Sequence, residues 1–145
     1  MQYMSEGASS VQRSFRLSAT TSQLLDRRVG ESGESRNAMV DRLLNESLRL
    51  EKHPFVRFIT GAAGRREPHI LGTRWKVRQI IVTLKGEKGQ LDSVIKGFDL
   101  TELQVRAAVS YYADFSEEID ADIERESVDA EQQRVRWERE QSVIG

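Results

Sequence analysis

The sequence contains no cysteine, only two prolines and only two histidines among its 145 residues. Without cysteine there is no disulfide and no thiolate metal site, which fits a cytoplasmic protein. No stretch approaches the roughly eighteen apolar residues of a membrane span, and nothing has the apolar core of a signal peptide. Membrane insertion and Sec-type export are therefore not expected. His53 and His69 stand beside Pro54 and Pro68, too far apart to form a spaced ligand pair. There is no nucleophile motif and no phosphate-loop glycine pattern. The Glu117, Glu118, Asp120, Asp122 run reads as a solvated acidic face rather than an acid/base pair. No catalytic residue, no metal and no cofactor is expected; the chain reads as a binding protein.

Apolar residues make up 38% of the chain and charged residues 31%, so one large core is not expected. The length fits one ordinary domain or two small ones. The net charge of -1 conceals a segregation. Residues 55–110 carry ten Lys/Arg against five Asp/Glu, whereas residues 111–145 carry four against eleven. A basic body followed by an acidic tail suggests partners of two kinds, although a solvated charged helix would have the same composition.

Residues 1–10 are small and polar and are expected to be disordered. In Gln12-Arg13-Ser14-Phe15-Arg16-Leu17-Ser18 the polar even positions alternate with Phe15 and Leu17, a period of two that predicts a half-buried strand. One such strand has no backbone partners and no core of its own, so it needs a second strand. The nearest identical one belongs to a second copy of the chain. Residues 18–22 offer several N-cap oxygens for a short helix marked by Leu24, Leu25 and Val29, ending near Gly30 or Gly33. Ser35 predicts the N-cap of a second helix whose stripe is Met39, Val40, Leu43, Leu44 and Leu48, and Pro54 ends it.

Beyond Pro54, residues 55–73 read as two extended stretches around a glycine turn. Val77, Ile80, Ile81 and Leu84 then give a buried helix stripe. Leu91, Val94 and Ile95 mark a short helix ending at Gly97. Thr101 and Gln104 match a capping box, with Leu100 and Val105 as a hydrophobic staple. Val105, Ala108, Val109 and Tyr112 follow as the stripe, continued by Phe115, Ile119 and Ile123. Residues 131–145 have few apolar residues and could form a helix on a partner.

The strand would turn Gln12, Ser14, Arg16 and Ser18 outward. Arginine can bond guanine in two places, and Ser and Gln can bond base edges. An ordinary edge strand would look the same. Ser35 would leave the amides of Arg36 and Asn37 at a positive helix end, where a phosphate can bind.

In this order, residues 12–50 resemble the ribbon-helix-helix family of Arc- and MetJ-type repressors and many antitoxins. The resemblance implies a homodimer whose shared ribbon enters the DNA major groove. Gln12, Ser14, Arg16 and Ser18 would then be base readers, and Ser35, Arg36 and Asn37 a phosphate clamp. Arg28 departs from the family where an apolar residue is usual, and a snorkelling stem would accommodate it.

Residues 68–124, from "HILGTRWKVRQIIVTLKG" to "VRAAVSYYADFSEEID", resemble the antitoxin-associated domain of unknown function 433. That resemblance implies a trihelical, helix-turn-helix-like body usually encoded beside PIN-like ribonuclease toxins. Trp75-Lys76-Val77 departs from the proline usual after the hydrophobic position that follows Gly-Thr-Arg. Arg74, Lys76, Arg78 and Arg106 could form a second DNA contact, or be solvated charges on a dimerisation or docking module.

The expected fold is mainly α with one short β-ribbon. It comprises a disordered 1–10, a ribbon-helix-helix dimer over 11–53, a trihelical domain over 54–126 and a helical or disordered tail over 127–145. Together the resemblances imply an antitoxin that represses its own operon and neutralises a PIN-like ribonuclease. Arg134, Arg136, Trp137 and Arg139 would be its toxin contacts, because arginines suit a carboxylate-rich metal site. In-helix ion pairs such as Arg134 with Glu138 are the plainer account of those arginines.

Overall fold

The computed structural model describes residues 10–145, so the expectation for residues 1–10 lies almost wholly outside the described part. The protein is mainly helical, and it divides into two compact units between Pro54 and Phe55.

In the N-terminal unit, α1 spans Ala19–Ser32 and α2 spans Arg36–Lys52. Of the candidates at 18–22, Ser18 is the N-cap of α1, its hydroxyl accepting from the Thr21 amide at 3.1 Å. Gly33, with φ of 75°, turns the chain out of α1 through the left-handed region that glycine tolerates best. Ser35 caps α2 by accepting from the Ala38 amide at 3.1 Å. The α2 helix closes where the His53 amide donates to the Arg49 carbonyl, one residue before Pro54.

The expected strand at 12–18 is absent. Residues 10–18 have no regular structure, and all of them are exposed. Phe15 and Leu17, expected to face a core, are 73% and 53% exposed. The cause is the one that made the segment conspicuous: a strand needs a neighbour, and among the described residues nothing pairs with this one.

The two-stranded sheet lies instead in the C-terminal unit, where the glycine turn and its two extended flanks were expected. Strand β1 (Val56–Thr60) pairs antiparallel with β2 (Arg66–Ile70), with Val56 opposite Ile70 and Phe58 opposite Pro68. The turn is closed by Gly61 N–H to the Arg65 carbonyl at 2.7 Å. After β2 the Thr73 hydroxyl donates to the Ile70 carbonyl and accepts from the Trp75 amide. Trp75 follows directly after this turn. Its indole donates to the Phe98 carbonyl at 3.2 Å and meets the Phe98 ring edge-on at 4.4 Å.

Three helices complete this unit: α3 (Val77–Gly86), α4 (Leu91–Phe98) and α5 (Glu102–Ile144). The α3 and α4 helices both pack on α5, and the hairpin packs on α3 and α5. The core is Ile70, Val77, Ile80, Val94, Val105, Ala108, Tyr111 and Ile119. Two details differ from the expected stripe on α5. Tyr111 rather than Tyr112 is fully buried, and Val109 is 38% exposed. Position 111 follows Ala108 by three residues, so it completes the inward face and turns Tyr112 to the rim. The α4 helix runs one residue past Gly97 and ends on Asp99, itself left-handed with φ of 55°.

Both bonds of the Thr101–Gln104 capping box are present, at 2.9 and 3.2 Å. The α5 helix leaves helical geometry only at Phe115. It then runs through the expected tail without a break. Residues 127–144 are the end of α5, not a separate segment, and Gly145 is its C-cap.

Candidate nucleic-acid interface and partner surface

The residues expected to read bases fall into two groups. Gln12, Ser14 and Arg16 are exposed on the irregular segment before α1. Ser18 is engaged locally. Besides capping α1, its hydroxyl donates to Thr21 Oγ1 at 2.9 Å, so both its donor and one acceptor site are in use.

At the start of α2, Ser35, Arg36 and Asn37 do come together. Ser35 accepts from Ala38, which leaves the Arg36 and Asn37 amides as the first-turn donors. The side chain of Arg36 is not free, however. It reaches Asp26 of α1 at 2.8 Å, an exposed pair with each side chain about 60% accessible. Such a pair contributes about 0–1 kcal/mol and is easily exchanged for a phosphate. Glu34, in the loop, holds Arg42 of α2 through a two-pronged contact with a shortest distance of 2.8 Å. The hydrogen bond to Glu34 raises the Arg42 pKa above the usual arginine range. The loop presenting Ser35 is therefore anchored at both ends. Arg28 does not snorkel: it pairs with Glu31 at 3.3 Å on the exposed side of α1.

The apolar side of this unit is uncovered. The α1 helix has no buried residue, and Met39 is the only buried residue of α2. Leu25, Val29 and Val40 are half-buried. Leu24, Leu43, Leu44 and Leu48 are 43–67% exposed, and Val11, Phe15 and Leu17 add to the uncovered apolar surface. Scattered exposed leucines are ordinary, but a stripe of this length on a roughly forty-residue unit needs a cover.

Comparison with protein-family models, with curated proteins and with solved structures finds no match.

In the C-terminal unit the four candidate basic residues are committed to internal contacts. Glu67 of β2 accepts from Lys76 at 3.1 Å and from Arg78 at 3.1 Å, and Arg78 also reaches Glu126 of α5 at 3.7 Å. Burial works against the ionised Glu67, but the hydrogen bonds from Lys76 and Arg78 outweigh it and lower its pKa. Arg106 pairs with Glu102 at 2.9 Å, and Arg74 lies 4.7 Å over the Trp75 ring. A DNA face built from Arg74, Lys76, Arg78 and Arg106 finds no support in this arrangement. At the rim, Tyr112 donates to Asp120 at 2.7 Å and accepts from Lys85 at 2.7 Å, joining α3 to α5. The expected acidic face is thus partly structural, since Asp120 and Asp122 both hold partners.

On the last turns of α5, Arg134 bridges Glu131 at 2.6 Å and also pairs with Glu138. Hydrogen bonding to Glu131 raises the pKa of Arg134 and lowers that of Glu131. Arg136 pairs with Glu140 at 3.1 Å. Arg139 has no ion pair among the described residues, and Trp137 is 59% exposed. The in-helix pairing weighed for Arg134 is therefore present, while Trp137 and Arg139 remain open.

Among the described residues no three His, Asp or Glu side chains gather to hold a metal ion. No described helix is long and apolar enough to cross a membrane. Sequence reading missed Asp26, Glu34, Glu67 and the Lys85–Tyr112–Asp120 group. Their contacts join residues eight to thirty-five positions apart, and no local pattern signals such pairs.

Proposed function

We propose that the protein is a DNA-binding antitoxin that works as a homodimer. The N-terminal unit of one copy would cover that of another, pairing the two 12–18 segments into a ribbon in the major groove. Gln12, Ser14 and Arg16 would read base edges. The Arg36 and Asn37 amides would bind phosphate, with Arg36 exchanging Asp26 for it. The distal part would hold a PIN-like ribonuclease, with Trp137 and Arg139 as its first contacts and Arg134 and Arg136 released from their in-helix pairs.

The uncovered stripe on α1 and α2 carries this reading. It leaves a small unit incomplete alone and stands next to an unpaired alternating segment, so one partner copy would satisfy both. Two resemblances that agree in function support the nuclease half.

The test is to co-express the chain with the product of its neighbouring gene and to footprint the DNA upstream of its own gene. Relief of toxicity with a stable complex, together with a protected palindrome, is the expected result. A palindrome without any complex would leave a transcriptional repressor with no toxin. A failure to protect any palindrome would remove the DNA-reading role.

A further inference from the structure

The end of α5 carries a second unpartnered surface, distinct from the one on α1 and α2. Beyond Glu126 every residue of the helix is exposed except the half-buried Val135. Ile123, Ala130, Trp137 and Ile144 recur every seven residues, which on a helix keeps them on one side with a drift of about 20° per step. This line begins four residues after the fully buried Ile119, so it prolongs the inward face of α5 past the body that covers it. Its outer members are open: Trp137 is 59% and Ile144 75% exposed.

Charge divides this overhang in half. Residues 123–133 hold four acidic side chains and one arginine, whereas residues 134–144 hold three arginines and two glutamates. Parallel pairing with an identical helix would set the acidic halves against each other. Antiparallel pairing sets each acidic half against the arginine-bearing half of the other copy. In the antiparallel register that matches the stripe to itself, Ile123 lies opposite Ile144 and Ala130 opposite Trp137, each small or end position meeting its complement. The same register ends each helix where the partner's body begins, so neither overhang runs into the other molecule's core.

We propose that the 123–144 overhang of α5 is a self-association surface, closed by the same segment of a second copy running antiparallel. With one apolar residue per seven, the seam is thinner than that of a stable coiled coil, whose repeat carries two. The pairing is therefore exchangeable, and a partner that engages Trp137 or the arginines displaces it. The proposal does not depend on DNA binding or on a nuclease.

The absence of native cysteine makes disulfide trapping a clean readout. In the full-length protein, Ile123→Cys/Ile144→Cys and, separately, Ala130→Cys/Trp137→Cys place thiols that face each other only between copies. Within one chain the two positions are about 10 Å apart or more along the helix, too far to bridge. Under mild oxidation each double variant should give covalent dimer in about tenfold or greater excess over its single variants, because pairing raises the local thiol concentration. Equal trapping by Ile144→Cys alone would indicate parallel or random contact and overturn the proposal. So would the lack of excess trapping in both double variants.

Discussion

Asp26 decides how available Arg36 is. While the two are paired, the guanidinium at the start of α2 is partly neutralised, and a phosphate must displace a carboxylate to reach it. Asp26→Asn should therefore strengthen binding to operator and random DNA by the same factor. The log–log salt dependence should stay nearly unchanged, because Arg36 reaches the same phosphate with or without Asp26 beside it. Fluorescence anisotropy titrations at several salt concentrations read both quantities. Unchanged affinity on both DNAs would remove Arg36 from the phosphate contacts. Arg16→Ala should behave differently, costing about 1–3 kcal/mol of discrimination between operator and random DNA if the side chain reads a base.

Glu67 is the corresponding single-residue control for the C-terminal unit. Its carboxylate joins β2 to Lys76 and Arg78, and its folded pKa lies below the ordinary glutamate value. A lowered folded pKa means that ionisation favours the native state. The contribution is complete above the unfolded pKa of about 4.3 and is lost as pH falls through the lower folded value. Glu67→Gln should lose about 1–3 kcal/mol at neutral pH by urea unfolding. The gap from the parent should begin to narrow as pH falls below the unfolded value and close as it passes through the lower folded one. A gap independent of pH would assign the loss to packing. Gly61→Ala should act on the same contact, because an added Cβ would lie 2.8 Å from Glu67 Oε2.

At the scale of elements, the uncovered stripe of α1 and α2 makes the sharpest claim. Leu44 is 49% exposed and lies on the expected dimer face, so Leu44→Glu adds no buried charge to the single copy. In a chain ended after Asp129, which lacks the distal α5 surface, it should shift sedimentation from dimer to monomer, whereas a stripe that is merely solvent-facing would leave the mass unchanged. The helices themselves were readable from local signals. Ser35, Thr101 with Gln104, and Pro54 mark helix ends through hydrogen bonds or steric limits that act within four residues. Val77, Ile80 and Ile81 mark a buried face through spacing alone. What escaped was set by distance or by copy number. The choice between Tyr111 and Tyr112 depends on how α5 is turned against the elements packed on it, which buries Tyr111 and leaves Tyr112 beside Lys85 and Asp120. The 12–18 strand was legible as an alternation, but its formation depends on a neighbour that local sequence does not supply. Of the candidate site, the Ser35–Asn37 cluster was visible, while the commitment of Ser18 to its cap and of Arg36 to Asp26 was not.

Over the whole molecule, the roles assigned to the two ends can be separated by one truncation. The core residue of α5 nearest the C-terminus is Ile119, and the Arg78–Glu126 contact lies seven residues beyond it. Ending the chain after Asp129 therefore removes no buried side chain and leaves the buried core of both units intact, so thermal unfolding should stay close to that of the parent. The N-terminal unit and its Ser35–Asn37 cluster are also intact, so operator affinity should be retained. Lost with the segment are Trp137 and all three distal arginines. Neutralisation of a co-expressed nuclease should be impaired, by growth assay and by co-purification. If neutralisation persists undiminished, the holding surface lies on the hairpin and α3–α5 body, and the distal end of α5 serves another purpose.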